Sequence, residues 1–580
     1  MTDNEAANAA QRTPTPIDTI AEEWVDTELD LYPEYRVYLG RPGREGEYGD
    51  LSPAGLQQAA TAMKATLAKI RQAEPVDDID VVTKLDLTRE LELELAKIDA
   101  GFPQRDLNVI ASPPQALREI FDLSPTATEQ DWATIAKRMH NLPAAMAGYI
   151  QTLRTGIEAG NVPAVRQVRE VLAQAEKQVA ETGFFHQLAT GAVTDGPTPG
   201  GDLPAGLRSD LESGAEASAQ AYADLASFLR DELAPHAPEQ DAVGREIYSL
   251  ASRSFLGATV DLDETYEWGI HELRRMVEEQ ESIAREIKPG ASVAEAIEFL
   301  DSDTTRKLHG TDALQKWMQA TSDRAVAELA RTHFDIPSEV RRLECMIAPT
   351  QEGGIYYTPP SDDFSRAGRM WWSVPEGVTE FDTWRELTTV YHEGVPGHHL
   401  QLGVAVYNKA ELNTWRRNAG TSGHAEGWAL YAERLMEQLG YLDDPADRLG
   451  MLDGQRMRAA RVVLDIGVHL QKPLPDGSTL GAETTGLDAN ASGTWTGEYA
   501  FEFLRRNVNM NEGFVRFEVN RYLGWPGQAP AYKIGQRIWE QIRDEYQRRE
   551  GDAFDIKAFH KKALDIGGVG LDTLKIAMLG

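Results

Sequence analysis

The chain has 580 residues, 42% of them hydrophobic and 26% charged, which is enough for a large apolar core and ordinary for a soluble globular protein. Acidic residues outnumber basic ones 92 to 58, and the net charge of −34 argues against nucleic acid or an anionic membrane as a partner, since both would be repelled. The single cysteine, Cys345, excludes an intrachain disulfide framework, and its apolar neighbours suit an inert buried thiol.

Residues 1–18 are polar and carry Asp3 and Glu5 where a signal peptide would have a basic region. No apolar run approaches the ~18 residues that a membrane span needs. The expectation is a cytoplasmic protein with a short disordered leader, 1–18. From 19 to 334 the sequence reads as helix after helix, a helical N-terminal lobe. Ser52-Pro53 supplies an N-cap and a first-turn proline for a helix over 54–73, while Thr128 to Asp131 and Ser292-x-x-Glu295 read as capping boxes. The Gly- and Pro-rich stretch 190–206 is a surface loop or an internal boundary. Arg154, Arg166 and Arg169 lie on Glu-rich helices and read as solvated ion-pair partners.

Between 347 and 375 the texture changes. Residues 353–360 and 370–375 combine β-branched and aromatic side chains with flanking Gly and Pro, the mark of short strands. Their free edge would suit an extended peptide added as a strand, and a purely structural hairpin fits them equally well. The remaining half, 335–580, carries the residues that suggest chemistry.

That half is organised around His392-Glu393-Gly394-Val395-Pro396-Gly397-His398-His399. A helical His-Glu-x-x-His places two imidazoles one turn apart, so that both reach one zinc ion while the Glu serves as general base toward water. Here Pro396 stands where the second histidine is expected. At about 100° per residue an unbroken helix would turn His398 to the wrong side and carry His399 two turns away. Pro396-Gly397 therefore predicts a kink or π-type bulge that absorbs two residues and swings His398 beside His392, with His399 as the alternative ligand. Thr383-x-x-Glu386 reads as the cap of this helix. A second helix, from 422 to about 439 and closed by Gly440, offers Glu426 as third ligand and Glu433 as a partner that orients a ligand histidine. His424 reads as a pocket-lining or surface residue. A third helix, 456–470, sets Asp465 and His469 four apart on one face. Beyond it, Arg521 precedes Tyr532 and Lys533, and a tyrosine hydroxyl suits stabilisation of an oxyanion.

The string from His392 to Gln401, together with 426–433, Asp465-x-Gly467-x-His469, 526–529 and 532–536, resembles the bacterial DUF885 family. The resemblance implies a zinc metallopeptidase of the gluzincin type, related in architecture to helical carboxypeptidases and oligopeptidases. It also turns Asp465–His469 from a buried pair into support for a histidine donor at the site. The expected fold is mainly α, with a zincin-like helical architecture, a small β-sheet beside the active-site helix and a deep cleft. The expected site has His392, His398 and Glu426 holding one Zn²⁺ per chain, Glu393 as base, Tyr532 and His469 on the oxyanion, and Arg521, Lys533 and Tyr357 on a peptide or small amide substrate. Two alternatives remain open on the sequence: a metal-dependent hydrolase or lyase for a small non-peptide molecule, and a non-catalytic helical scaffold.

Overall fold

Capping residues explain where the helices begin. Ser52 accepts a hydrogen bond from the Gly55 amide and opens Pro53–Gln72. Thr128 with Asp131 opens Glu129–Ala159, and Ser292 with Glu295 opens Val293–Asp301. In the computed structural model the described residues are 12–194, 203–349, 354–475 and 493–580. Most of the expected leader, 1–11, and the centre of the Gly- and Pro-rich stretch, 195–202, lie outside them. The boundary at 18 moves, because a Thr15–Asp18 capping box already opens Pro16–Leu31. Arg12 is held there by Asp18 at 2.5 Å and by Asp77 and Asp80 at 2.7 Å each.

Among the described residues the molecule is mainly helical with two small sheets. Its apolar side chains gather in separate cores. One spans Leu107 to Leu233. Another joins Pro16–Leu31, Pro53–Gln72 and Asp78–Asp99 to Trp415. The largest runs from Tyr248 to Met578 and so crosses the expected division at 334/335. The helix Leu262–Ile287 lies against Pro445–His469 so closely that a Cβ on Gly269 would stand 2.8 Å from Val462 Cγ1. Residues 245–334 therefore pack with the half that carries the histidines.

Strands β2 (Leu343–Ile347), β3 (Ile355–Thr358) and β4 (Gly368–Trp372) form a sheet in the order β2-β4-β3, with β2 parallel and β3 antiparallel to β4. Strand β1 (Lys307–His309) pairs with β5 (Glu380–Asp382), which runs directly into the helix Thr383–Glu393. Met370, Trp372, Cys345 and Leu343 pack with Val390 of that helix, so the sheet floors the helix that delivers His392. No helix among the described residues is long and apolar enough to cross a membrane.

Candidate metal centre

The helix Thr383–Glu393 is fixed by Trp384, Leu387, Val390 and Tyr391, all buried. The expected Thr383–Glu386 cap does not form: the N-cap is Asp382 without a side-chain bond, and the Thr383 hydroxyl donates instead to the Arg306 carbonyl at 3.0 Å. The helix stops at Glu393, and a new one, His398–Tyr407, starts five residues on. The chain thus breaks where a bulge was expected. The Val395–Pro396 peptide is cis, and the chain folds back so tightly that a Cβ on Gly397 would lie 1.8 Å from the His392 carbonyl oxygen. Trp428 Nε1 donates to the Pro396 carbonyl at 2.9 Å and holds the reversal. The outcome is that the rings of His392 and His398 meet edge-on, 4.8 Å apart at 90°.

Glu426 completes the group from the helix Ser422–Gln438, whose start is capped by Thr421. Its Oε2 lies 3.3 Å from His392 Nε2 and 3.6 Å from His398 Nε2. That same oxygen is buried and makes no well-formed hydrogen bond. Ligand atoms bound tetrahedrally at ~2.0–2.2 Å stand roughly 3.3–3.6 Å from one another. The spacing therefore fits a divalent cation, and the donor set of two imidazoles and a carboxylate suits zinc. The Glu393 carboxylate also lies within 4.8 Å of the ligand atoms of both histidines. Two carboxylates thus stand near the imidazole pair: Glu426, whose orphaned oxygen approaches both Nε2 atoms at ligand spacing, and Glu393, next to His392 in the chain. Burial alone would raise the Glu426 carboxyl and lower the His392 imidazole. Against burial, the imidazoles hold Glu426 well below the usual range, and Glu426 and Glu433 hold His392 at about 10.

An outer chain of bonds supports His392. Glu433 Oε1 takes its Nδ1 at 2.7 Å, and the other oxygen of Glu433 accepts from Gln455 Nε2 at 3.0 Å. Gln455 in turn accepts from Lys533 Nζ at 2.6 Å, and Lys533 also meets Glu272 at 3.0 Å and Gln536 at 2.9 Å. Lys533 is thereby spent on this network, which removes it from the substrate-binding set.

Four further expectations change. Both ring nitrogens of His399 are engaged, Nε2 with the Val340 carbonyl at 2.7 Å and Nδ1 with the Tyr357 hydroxyl at 2.8 Å, so neither His399 nor Tyr357 is free for metal or substrate. Gly368 makes room for that pair, since a Cβ there would fall 2.1 Å from the Tyr357 oxygen. His469 is fully buried, stacks on Tyr248 and bonds the Tyr522 carbonyl at 3.1 Å, which makes it part of the packing and not an oxyanion donor. Its neighbour Asp465 accepts from Tyr248 and from the Gly527 amide, at 2.7 and 2.8 Å. Arg521 is buried against Glu518 at 2.9 Å and Gln528, leaving it no carboxylate-binding face.

Tyr532, at the start of Gln528–Glu550, is half-buried, and its hydroxyl makes no hydrogen bond among the described residues. Burial and the Glu426 charge push its phenol up to about 12, so it is a proton donor at neutral pH. Arg461 and Arg458 stand 5.2 and 6.0 Å from its ring centre. The sequence reading missed Arg458 and Gln455. Their only signal is that two polar side chains one turn apart interrupt the apolar inner face of Pro445–His469.

A profile of the bacterial family of unknown function DUF885 matches residues 33–578. The chain belongs to that family. No curated protein matches it. Among solved structures, a protein from Colwellia psychrerythraea provisionally described as a lipoprotein superposes with a TM-score of 0.82 at 20% identity, covering 97% of this chain and 98% of its own. A Shewanella oneidensis protein of unknown function, likewise provisionally described as a lipoprotein, gives 0.74 at 17% identity over 98% and 100%. These likenesses show one shared fold over nearly the whole chain. An oligoendopeptidase F, provisionally so described, from Bacillus anthracis str. Ames reaches a TM-score of 0.33 at 14% identity over 92% and 93%, too loose to bear on function. The expected cytoplasmic placement does not stand, because the Colwellia and Shewanella proteins, which this chain matches over nearly its whole length, are described as lipoproteins.

Proposed function

We propose that this chain is a zinc-dependent hydrolase of peptide bonds, with His392, His398 and Glu426 as metal ligands. The observation that carries the reading is the unsatisfied Glu426 Oε2, 3.3 and 3.6 Å from the two imidazole nitrogens. An unpaired buried carboxylate oxygen is costly, and a cation between the three groups removes the cost. When bound, zinc supplies a Lewis acid for water and for the attacked carbonyl.

The chain's own residues do the rest. Glu433 fixes the His392 ring through Nδ1, so that Nε2 faces Glu426. Glu393 takes a proton from the attacking water and returns it to the leaving amine as the C–N bond breaks. Tyr532 directs its phenol toward the charge that gathers on the carbonyl oxygen. Metal analysis of purified protein, followed by a peptide-library digest with and without chelator, tests this. Expected are about one zinc per chain and cleavage that the chelator stops. Less than a tenth of an equivalent after preparation with added zinc overturns the metal site, and a metal-loaded protein inert on peptides overturns the peptidase.

A further inference from the structure

Three guanidinium groups stand near Tyr532, and one carboxylate, Glu518, pairs with two of them. Glu518 answers Arg461 at 2.7 Å and Arg521 at 2.9 Å. Arg461 also donates to the Tyr522 hydroxyl at 2.6 Å, and Arg521 to Gln528. Arg458, on the same helix as Arg461 and one turn nearer Gln455, has no ion pair or hydrogen bond among the described residues, and its Nε is buried without a partner. Gly454 makes the space for this side chain, since a Cβ there would fall 2.6 Å from Arg458 Nη1. In a chain with 92 acidic residues against 58 basic ones, a half-buried arginine left unanswered is not for want of carboxylates. Leaving it so is unfavourable unless something else supplies the anion.

The place of Arg458 says which anion. Gln455, one turn away on the same helix, donates to Glu433, which holds His392, and the Arg458 guanidinium stands 6.0 Å from the Tyr532 ring centre. It therefore stands beside the metal centre, on the Tyr532 side. In an extended peptide each residue advances the chain by at most ~3.3–3.6 Å, so a free carboxylate just past the scissile bond lies close to the attacked carbonyl. Guanidinium is matched to carboxylate in shape and charge. Arg461, already bound to Glu518 and Tyr522, adds positive field behind it.

We propose that Arg458 receives the free C-terminal carboxylate of a peptide, so that the enzyme removes residues from the C-terminus and does not cut internally. The inference rests on the peptidase reading above for its chemistry, which is plain hydrolysis: water adds to the carbonyl carbon, the C–N bond breaks, and the proton passes through Glu393 to the departing amine. The anion site itself is independent of turnover.

Two measurements on zinc-loaded protein separate the two ideas. The first is calorimetry of the Glu393→Gln variant with an N-acetylated tripeptide as free acid and as amide. The acid is expected to bind about 10- to 100-fold tighter. Arg458→Met added to that variant is expected to bring the ratio near one, with Arg458→Lys intermediate and the melting temperature of each variant recorded as a check on folding. The second is mass-spectrometric digestion of the same pair by the unmodified enzyme, in which the acid is shortened from its C-terminus and the amide is spared. Arg458-dependent preference for the acid without any turnover would retain the carboxylate site and sink the peptidase. Equal binding of acid and amide, or a preference that survives Arg458→Met, would overturn the proposal, as would binding of neither.

Discussion

Two hollows of this protein treat their carboxylates in opposite ways. The larger, about 770 Å³, lies between the N-terminal helices and the rest of the molecule and is lined by Trp24, Glu28, Tyr35, Glu90 and Asp106 among others. Burial there pushes Glu28 up to about 7 and Glu90 to about 8. The smaller, about 280 Å³, reaches Glu426 and shares residues 418–421 with the first. There the imidazoles of His392 and His398 outweigh burial and drive Glu426 down. Size therefore does not mark the chemistry. What marks it is a buried carboxylate answered by groups that a divalent cation can also bind, against carboxylates answered weakly and left to protonate.

The sharpest way to break the comparison is to change the base without changing the ligands. Glu393→Gln is expected to lower turnover by ~10²–10⁴-fold with zinc still bound, because a base moves protons and does not coordinate. Turnover on peptides and metal content, measured on one preparation, check it. A variant that loses its zinc would make Glu393 the ligand and Glu426 the base.

Next in size are the ligands. His398→Ala and Glu426→Gln are each expected to weaken zinc binding by well over the ~10–100-fold typical of an outer partner, whereas Glu433→Gln falls within that range. His399→Ala is expected to keep its zinc and to lose stability instead, by about 2 kcal/mol or more, since it strands the buried Val340 carbonyl and the Tyr357 hydroxyl. Competition with a metallochromic chelator, alongside denaturant unfolding, separates the two kinds of loss. A larger metal defect in His399→Ala than in His398→Ala would mean that the histidine brought to the cation is the wrong one.

Much of this is legible in the sequence, and the failures have physical causes. Caps at Ser52, Thr128 and Ser292 are local, and the helices start where those residues say. The position of the interruption was legible from Pro396-Gly397, while its form was not, because a break held by Trp428 depends on a helix that arrives 31 residues later. Thr383 failed as a cap for the same reason: its hydroxyl goes to Arg306, 77 residues away in sequence. His469 and Tyr357 look like site residues by type, yet their partners Tyr248 and His399 decide otherwise. Arg521 is a different case, since Glu518 is its i−3 neighbour on one helix and that pair was there to be read.

The smallest expected effect belongs to the larger hollow. Glu90 is pushed up to about 8 from 4.5 by burial, reinforced by Asp86, Glu28 and Glu94 and opposed by Arg89. A carboxyl raised in the folded state binds its proton more tightly there than in the unfolded chain. Its contribution to stability is therefore whole below about 4.5 and is lost as pH rises through about 8. Glu90→Gln removes the charge that must otherwise be carried at high pH. The variant is expected to match the parent near pH 5 and to exceed it by roughly 1–3 kcal/mol near pH 9. The same substitution should leave zinc affinity unchanged, since Glu90 has no part in the metal centre. Urea unfolding at the two pH values measures the difference. A stability gain equal at both would show that Glu90 is charged throughout, and that the two hollows do not differ in the way their carboxylates are answered.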